Sequence, residues 1–159
     1  TVLILTTGGT IDKIYFDAKS AYEVGPPNIE RVLGELNLSI YYRIKSLMRK
    51  DSLALTDIVH QLIRREVEQN PETKILITHG TDTMVETGRE LLGLQDKTIV
   101  LTGALEPALF KTSDALFNIG CALAAVQTAA PGVYIAMNGR IFNSEKVRKN
   151  REQNRFEDI

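Results

Sequence analysis

The 159 residues contain no tryptophan and a single cysteine. Cys121 lies in the apolar stretch LFNIGCALAAV; with no partner in the chain it excludes an internal disulfide and is expected to be a small buried thiol in a reducing compartment, the cytoplasm. No apolar run reaches the roughly 18 residues of a membrane span, and the N-terminal TVLIL has neither the basic flank nor the length of a secretory leader, so no membrane partner is expected. The 19 basic and 20 acidic side chains leave a formal charge of -1, which excludes the broad basic field that draws proteins to nucleic acid. Two histidines and one cysteine, none at ligand spacing, give no metal site. The sequence GGTIDK has the spacing of neither nucleotide phosphate loop, so no cofactor is expected.

What is present is an alternation. Short β-branched runs (TVLILTT, LSIYYRIKSLM, KILIT, KTIVLTG and PGVYIAMNG) are separated by segments of helical period, which predicts an α/β domain with a mainly parallel sheet and helices on both faces, flavodoxin-like in layering. Helices are predicted after Pro27 and Asn28, after Thr56 or Asp57 with Ile58, Leu62, Ile63 and Val67 inward, after Thr83 with Glu86 at capping-box spacing, and after Ser113 or Asp114. The length suits one domain over 1–159, and the last stretch, without clear period, reads as a short strand and a polar tail from about residue 144.

Four strands run into polar or glycine-rich loops: TTGGT at 6–10, RKDS at 49–52, THGTD at 78–82 and TGA at 102–104. In an open parallel sheet these ends share one edge, where ligands bind. Gly8 and Gly9 allow a tight turn that presents the Thr10 hydroxyl; standing alone the pair is only a turn. His79 through Thr83 offers more hydrogen-bonding capacity than one helix start consumes. No G-x-S-x-G accompanies His79, and His60 sits inside a helical pattern, so a serine triad is unsupported. A threonine hydroxyl needs a neighbouring base and opposing donors to act as a nucleophile, and converging threonines beside an aspartate suggest acyl transfer on a small polar substrate.

Together, TTGGTID and ITHGTDTMVETG closely resemble the two threonine-bearing signatures of bacterial-type L-asparaginases. VLTGALEPALFKTSDALFNI resembles that family's next strand, loop and helix, and GVYIAMNGRIFNSEKVRKN its lysine-bearing segment. The resemblance implies the family's N-terminal-domain fold and hydrolysis of L-asparagine to L-aspartate and ammonia. It implies Thr10 as the nucleophile that forms an acyl-enzyme, with Thr81, Asp82 and Lys149 as a second cluster managing protons or water, and the second threonine as the alternative attacking group. Gly9, Gly80, Thr81, Asp82, Asp51 and Ser52 would bind the substrate. Tyr22 stands at the family's hinge-loop position, whereas Tyr15 lies nearer Thr10 in sequence, so both are candidates to support the nucleophile.

The family's usual members carry a second, smaller domain for which this chain has no room, so it resembles a short single-domain member or a fragment of a longer one, and a homodimer or homotetramer is expected to cover surfaces left bare. Two rival readings are a non-catalytic aspartate or asparagine-binding module, and the amidase subunit of a transfer-RNA-dependent amidotransferase.

Overall fold

The computed structural model describes residues 1–16, 21–50 and 57–159. β1 (Val2–Gly8) leads through a 3-10 turn, Thr10–Asp12, into a small antiparallel hairpin of β2 (Lys13–Phe16) and β3 (Ala21–Val24). There follow α1 (Asn28–Gly34), β4 (Tyr42–Lys50), α2 (Asp57–Gln69), β5 (Lys74–Thr78), α3 (Met84–Glu90), β6 (Thr98–Thr102), α4 (Ala115–Thr128) and β7 (Gly132–Met137). The chain ends in β8 (Arg140–Asn143), β9 (Val147–Asn150) and β10 (Arg155–Asp158).

Six strands form the central sheet in the order β4-β1-β5-β6-β7-β8, parallel throughout except that β8 returns antiparallel to β7. The return is made by Asn138 and Gly139, both at positive φ (53° and 76°), as a two-residue turn matched to strand twist requires. Every residue of β1 and β6 is buried, the mark of strands covered on both faces. Alternation then sorts the side chains. Val2 and Ile4 join Ile29 and Leu33 of α1 and Ile119, Ala122 and Val126 of α4 on one face; Leu3 and Leu5 join Ile63 and Val67 of α2, Met84 of α3 and Leu91 at its C-cap on the other. Each fully buried Leu or Ile contributes roughly 1.5–3 kcal/mol of transfer free energy.

From β1 the chain steps to β4 on one side, then crosses back to β5 on the other. The loops after β1 and β5 therefore diverge from adjacent strands, which opens a crevice at the carboxyl edge between them.

Four expectations change. The stretch from residue 144 is no tail: β9 and β10 pair as a hairpin whose Val147 and Phe156 are 0% and 3% exposed and belong to the core on the α2/α3 face. The Phe156 amide also donates to Asn138 Oδ1 at 2.7 Å, tying the hairpin to the β7–β8 turn. In α2, Ile63 and Val67 are buried as expected, but His60 completes the inner face, whereas Ile58 and Leu62 are 78% and 38% exposed. Cys121 is half-buried, because α4 turns mainly alanines, Asn118 and Ile119 to the sheet. Thr83 is the N-cap of α3 but forms no side-chain cap bond, so the capping box does not close; at α4 the Ser113 hydroxyl accepts the Ala115 amide, while Asp114 receives the Leu105 and Glu106 amides and folds the preceding loop.

Candidate active site

The first loop leaves β1 through Gly8 and Gly9, at φ 102° and 90°, left-handed conformations that glycine adopts without Cβ strain. Thr10 opens the 3-10 turn and is half-buried. Its far side is clamped. Ile11 is buried in the core and its carbonyl accepts the Ala108 amide at 3.1 Å. Asp12 is 2% exposed; its Oδ1 accepts the Asn28 amide at 2.8 Å and its carbonyl accepts the Gly25 amide. Burial raises the Asp12 pKa to about 7, against the opposing pull of the Asn28 amide and the Arg49 charge.

The second loop leaves β5 beside it. Thr7 Oγ1 donates to the Thr78 carbonyl at 2.8 Å, and the His79 amide donates to the Thr102 carbonyl at 2.9 Å, so the ends of β1, β5 and β6 are laced together. The His79 ring is fully buried between the Gly80 carbonyl, 2.7 Å from Nδ1, and the Thr87 hydroxyl, 2.8 Å from Nε2. A carbonyl only accepts, so Nδ1 carries the proton and Nε2 accepts from Thr87. Burial holds the His79 pKa down at about 4, with the Gly80 bond opposing and His60 adding to the depression. His79 is thus a neutral strut that bolts the loop to α3, rather than a base for substrate.

The two loops touch through glycines. A Cβ on Gly9 would lie 2.5 Å from Gly80 Cα and 2.6 Å from Gly80 N, nearer than any side chain is tolerated. Gly103 at the end of β6 likewise has room for no Cβ against the His79 carbonyl. Backbone-to-backbone approach is what brings the loop of Thr10 against the loop of Thr81.

Thr81 is 6% exposed, and its Oγ1 accepts from Lys149 Nζ at 2.8 Å; the same ammonium donates to Asp82 Oδ1 at 2.8 Å. The period of two in β9 explains how a lysine from a polar stretch arrives there: Val147 is buried in the core, and Lys149, two residues on, projects to the same side with its side chain 12% exposed. Phe156, cross-strand partner of Lys149, fixes the register from the core. Arg151 stands at the rim, with Nε 3.6 Å from Asp82 Oδ1. A cleft of about 230 Å³ opens beside this pair, bounded by Val85 and Arg89 of α3 and by Arg151.

Of the sequence candidates, Gly9, Gly80, Thr81, Asp82 and Lys149 thus stand together, with Thr10 next to Gly9 on the facing loop. Tyr15 and Tyr22 are directly opposed in the β2–β3 hairpin, ring centroids 5.3 Å apart, and Tyr22 lies edge-on to Phe110 at 5.5 Å. Both tyrosines are 49% exposed, and among the described residues no hydrogen bond joins either to Thr10. Asp51 and Ser52 lie outside the described residues; the last residue described before them, Lys50, is the β4 partner of Gly8. Asp12, Arg151 and the structural role of His79 escaped the sequence reading. A carboxylate set between Ile11 and Ile14 was the available signal for Asp12.

The family model described as "Asparaginase, N-terminal" matches residues 1–157. The chain belongs to the asparaginase family. A protein named probable L-asparaginase periplasmic, from Haemophilus influenzae, is 29% identical over 159 residues, covering 93% of this chain and 46% of that protein. The solved thermostable L-asparaginase from Thermococcus kodakarensis superposes with a TM-score of 0.86 at 26% identity, covering 99% of this chain and 51% of its own. A glutamyl-tRNA(Gln) amidotransferase subunit of Methanococcus vannielii is 39% identical over 83 residues, 51% of this chain and 19% of that protein. The asparaginase-family chain therefore spans about half the length of the L-asparaginases it matches.

Proposed function

We propose that this asparaginase-family hydrolase cleaves the side-chain amide of L-asparagine, giving L-aspartate and ammonia. The observation that carries the reading is the Lys149 ammonium shared between the Thr81 hydroxyl and the Asp82 carboxylate, on a loop in glycine contact with the loop of Thr10. In this reading the Thr10 oxygen attacks the amide carbon, the carbon–nitrogen bond breaks, and ammonia leaves with the proton the hydroxyl gave up. Water then adds to the acyl-enzyme and releases aspartate. Lys149 donates to Thr81 and so holds its oxygen oriented, while Asp82 offsets the ammonium charge and has a second oxygen for the substrate's amino group. Asp51 and Ser52, which follow Lys50 in the sequence, remain the candidates for the α-carboxylate and α-amino groups. Tyr22 or Tyr15 supports the nucleophile once substrate is bound.

Assembly as a homodimer or homotetramer is supported by the exposed apolar side chains Phe117 and Ile141, and a cytoplasmic setting by the lone Cys121 thiol. Among the described residues no helix is long and apolar enough to cross a membrane. The 39% identity to an amidotransferase subunit over half the chain favours a second reading, in which the same cluster releases ammonia for a partner enzyme. Ammonia release from asparagine and glutamine by the purified chain tests both: turnover of free asparagine supports the hydrolase, and silence until a partner is added supports the amidotransferase role.

A further inference from the structure

A cavity of about 280 Å³ lies between the end of α1 and the loop joining β6 to α4, apart from the threonine loops. Val32, Leu36 and Leu116 wall it, and Phe110 closes one side. Leu36 and Leu116 are 42% and 56% exposed, so apolar surface that a ligand would cover is in water. At its rim Arg31 pairs with Glu35 at 3.4 Å. Lys111 has no ion-pair partner among the described residues, which leaves one uncompensated positive charge beside an apolar floor. A compact apolar body bearing one carboxylate satisfies both features.

Two contacts tie this cavity to the candidate nucleophile. Ala108, in its wall, donates its amide to the carbonyl of Ile11, the residue after Thr10, at 3.1 Å. Phe110 meets Tyr22 edge-on at 5.5 Å, and Tyr22 meets Tyr15 at 5.3 Å in the hairpin that follows the Thr10 turn. A ligand seated against Phe110 touches the first ring of that row, and it shifts the turn to the extent that it binds one position of Phe110 better than another.

We propose that the cavity between α1 and the β6–α4 loop binds a small amphipathic carboxylate, and that its occupancy is coupled to the Thr10 turn through the Ala108–Ile11 bond and the Phe110–Tyr22 contact. Because the coupling is thermodynamic, a ligand at the threonine cluster alters affinity at the cavity by the same factor. The reading does not depend on which amide is hydrolysed.

The test is an amide NMR titration of the purified chain with phenylacetate and, separately, with its uncharged analogue 2-phenylethanol. The expected result is saturable shifts at Ala108 and Lys111 that extend to Ile11 and Tyr22, with the alcohol about threefold weaker for want of the ion pair. Lys111→Ala should lower phenylacetate to the affinity of the alcohol. Phe110→Leu should keep binding and lose the shift at Tyr22. Absence of saturable shifts overturns the site, equal affinity for the two probes overturns the ligand class, and shifts confined to the cavity wall overturn the coupling.

Discussion

Gly9 and Gly80 face each other across the crevice with no space for a β-carbon: one built on Gly9 lies 2.5 Å from the Gly80 Cα. This seam is where the two threonine loops of the sheet edge meet. Gly9→Ala is expected to be costly on two counts, the φ of 90° and the collision with backbone that cannot swing aside. Gly93 has a similar φ of 88° but nothing within 4 Å of a built Cβ, so Gly93→Ala isolates the conformational cost, about 1–2 kcal/mol. Urea denaturation should show Gly9→Ala the more destabilised, with hydrolysis lost at temperatures where the protein remains folded. Equal losses would mean that the seam relaxes at little cost.

Removing the charge at Lys149 tests the proton machinery with little effect on folding. Lys149→Met deletes two hydrogen bonds at 2.8 Å and leaves Asp82, whose side chain is 30% exposed, to water and Arg151. At least ~100-fold loss of turnover is expected, the scale at which positioned proton carriers contribute. Lys149→Arg should not rescue, because a planar guanidinium cannot reproduce the angle between Thr81 and Asp82. Turnover within a few-fold of the parent would remove Lys149 from the reaction.

The buried His79–Thr87 bond should show its value when one partner is removed. Thr87→Val keeps the shape and strips the donor from Nε2, leaving a fully buried nitrogen unsatisfied at a cost of about 1–3 kcal/mol. The thermal midpoint should fall, and hydrolysis should fall further than stability if the strut aligns Gly80 through Asp82. An unchanged midpoint would show that the ring finds another donor.

Two buried groups with opposed signs shape the acid limb. Asp12 ionises near pH 7 in the fold but near 3.8 when unfolded, so the native state holds the extra proton between and stability falls as pH rises through that window. His79 titrates near pH 4 in the fold and near 6.5 unfolded, so the unfolded state holds the extra proton and stability rises across nearly the same range. The parent protein should therefore show a shallow pH dependence of stability from about pH 4 to 7, while Asp12→Asn, which removes the falling contribution, should show stability climbing with pH. Parallel profiles for the two proteins would mean that Asp12 is ionised throughout.

The β1, β5 and β6 strands were legible because strands buried on both faces are written as unbroken apolar runs, and the loops bearing Thr10 and Thr81 were legible because the runs stop in glycine and hydroxyls. The β9–β10 hairpin was not, since Val147 and Phe156 are its only core anchors amid charged residues, too sparse for a period to register. Lys149 lies 68 residues from the threonine it contacts, so no local pattern marks it; only the family register did. In α2, Ile63 and Val67 face inward as the pattern predicts, but Ile58 and Leu62 repeat at the same helical spacing, and only the sheet decides that His60 rather than they completes the inner face.

The central claim is that Thr10 and Thr81 face one bound substrate across the Gly9–Gly80 seam. A crystal structure of the Lys149→Met variant with asparagine bound tests it most directly. Both hydroxyls should lie within hydrogen-bond reach of the side-chain amide, with Asp82 on the amino group. An asparagine held by one threonine alone, with the other turned away, would contradict it.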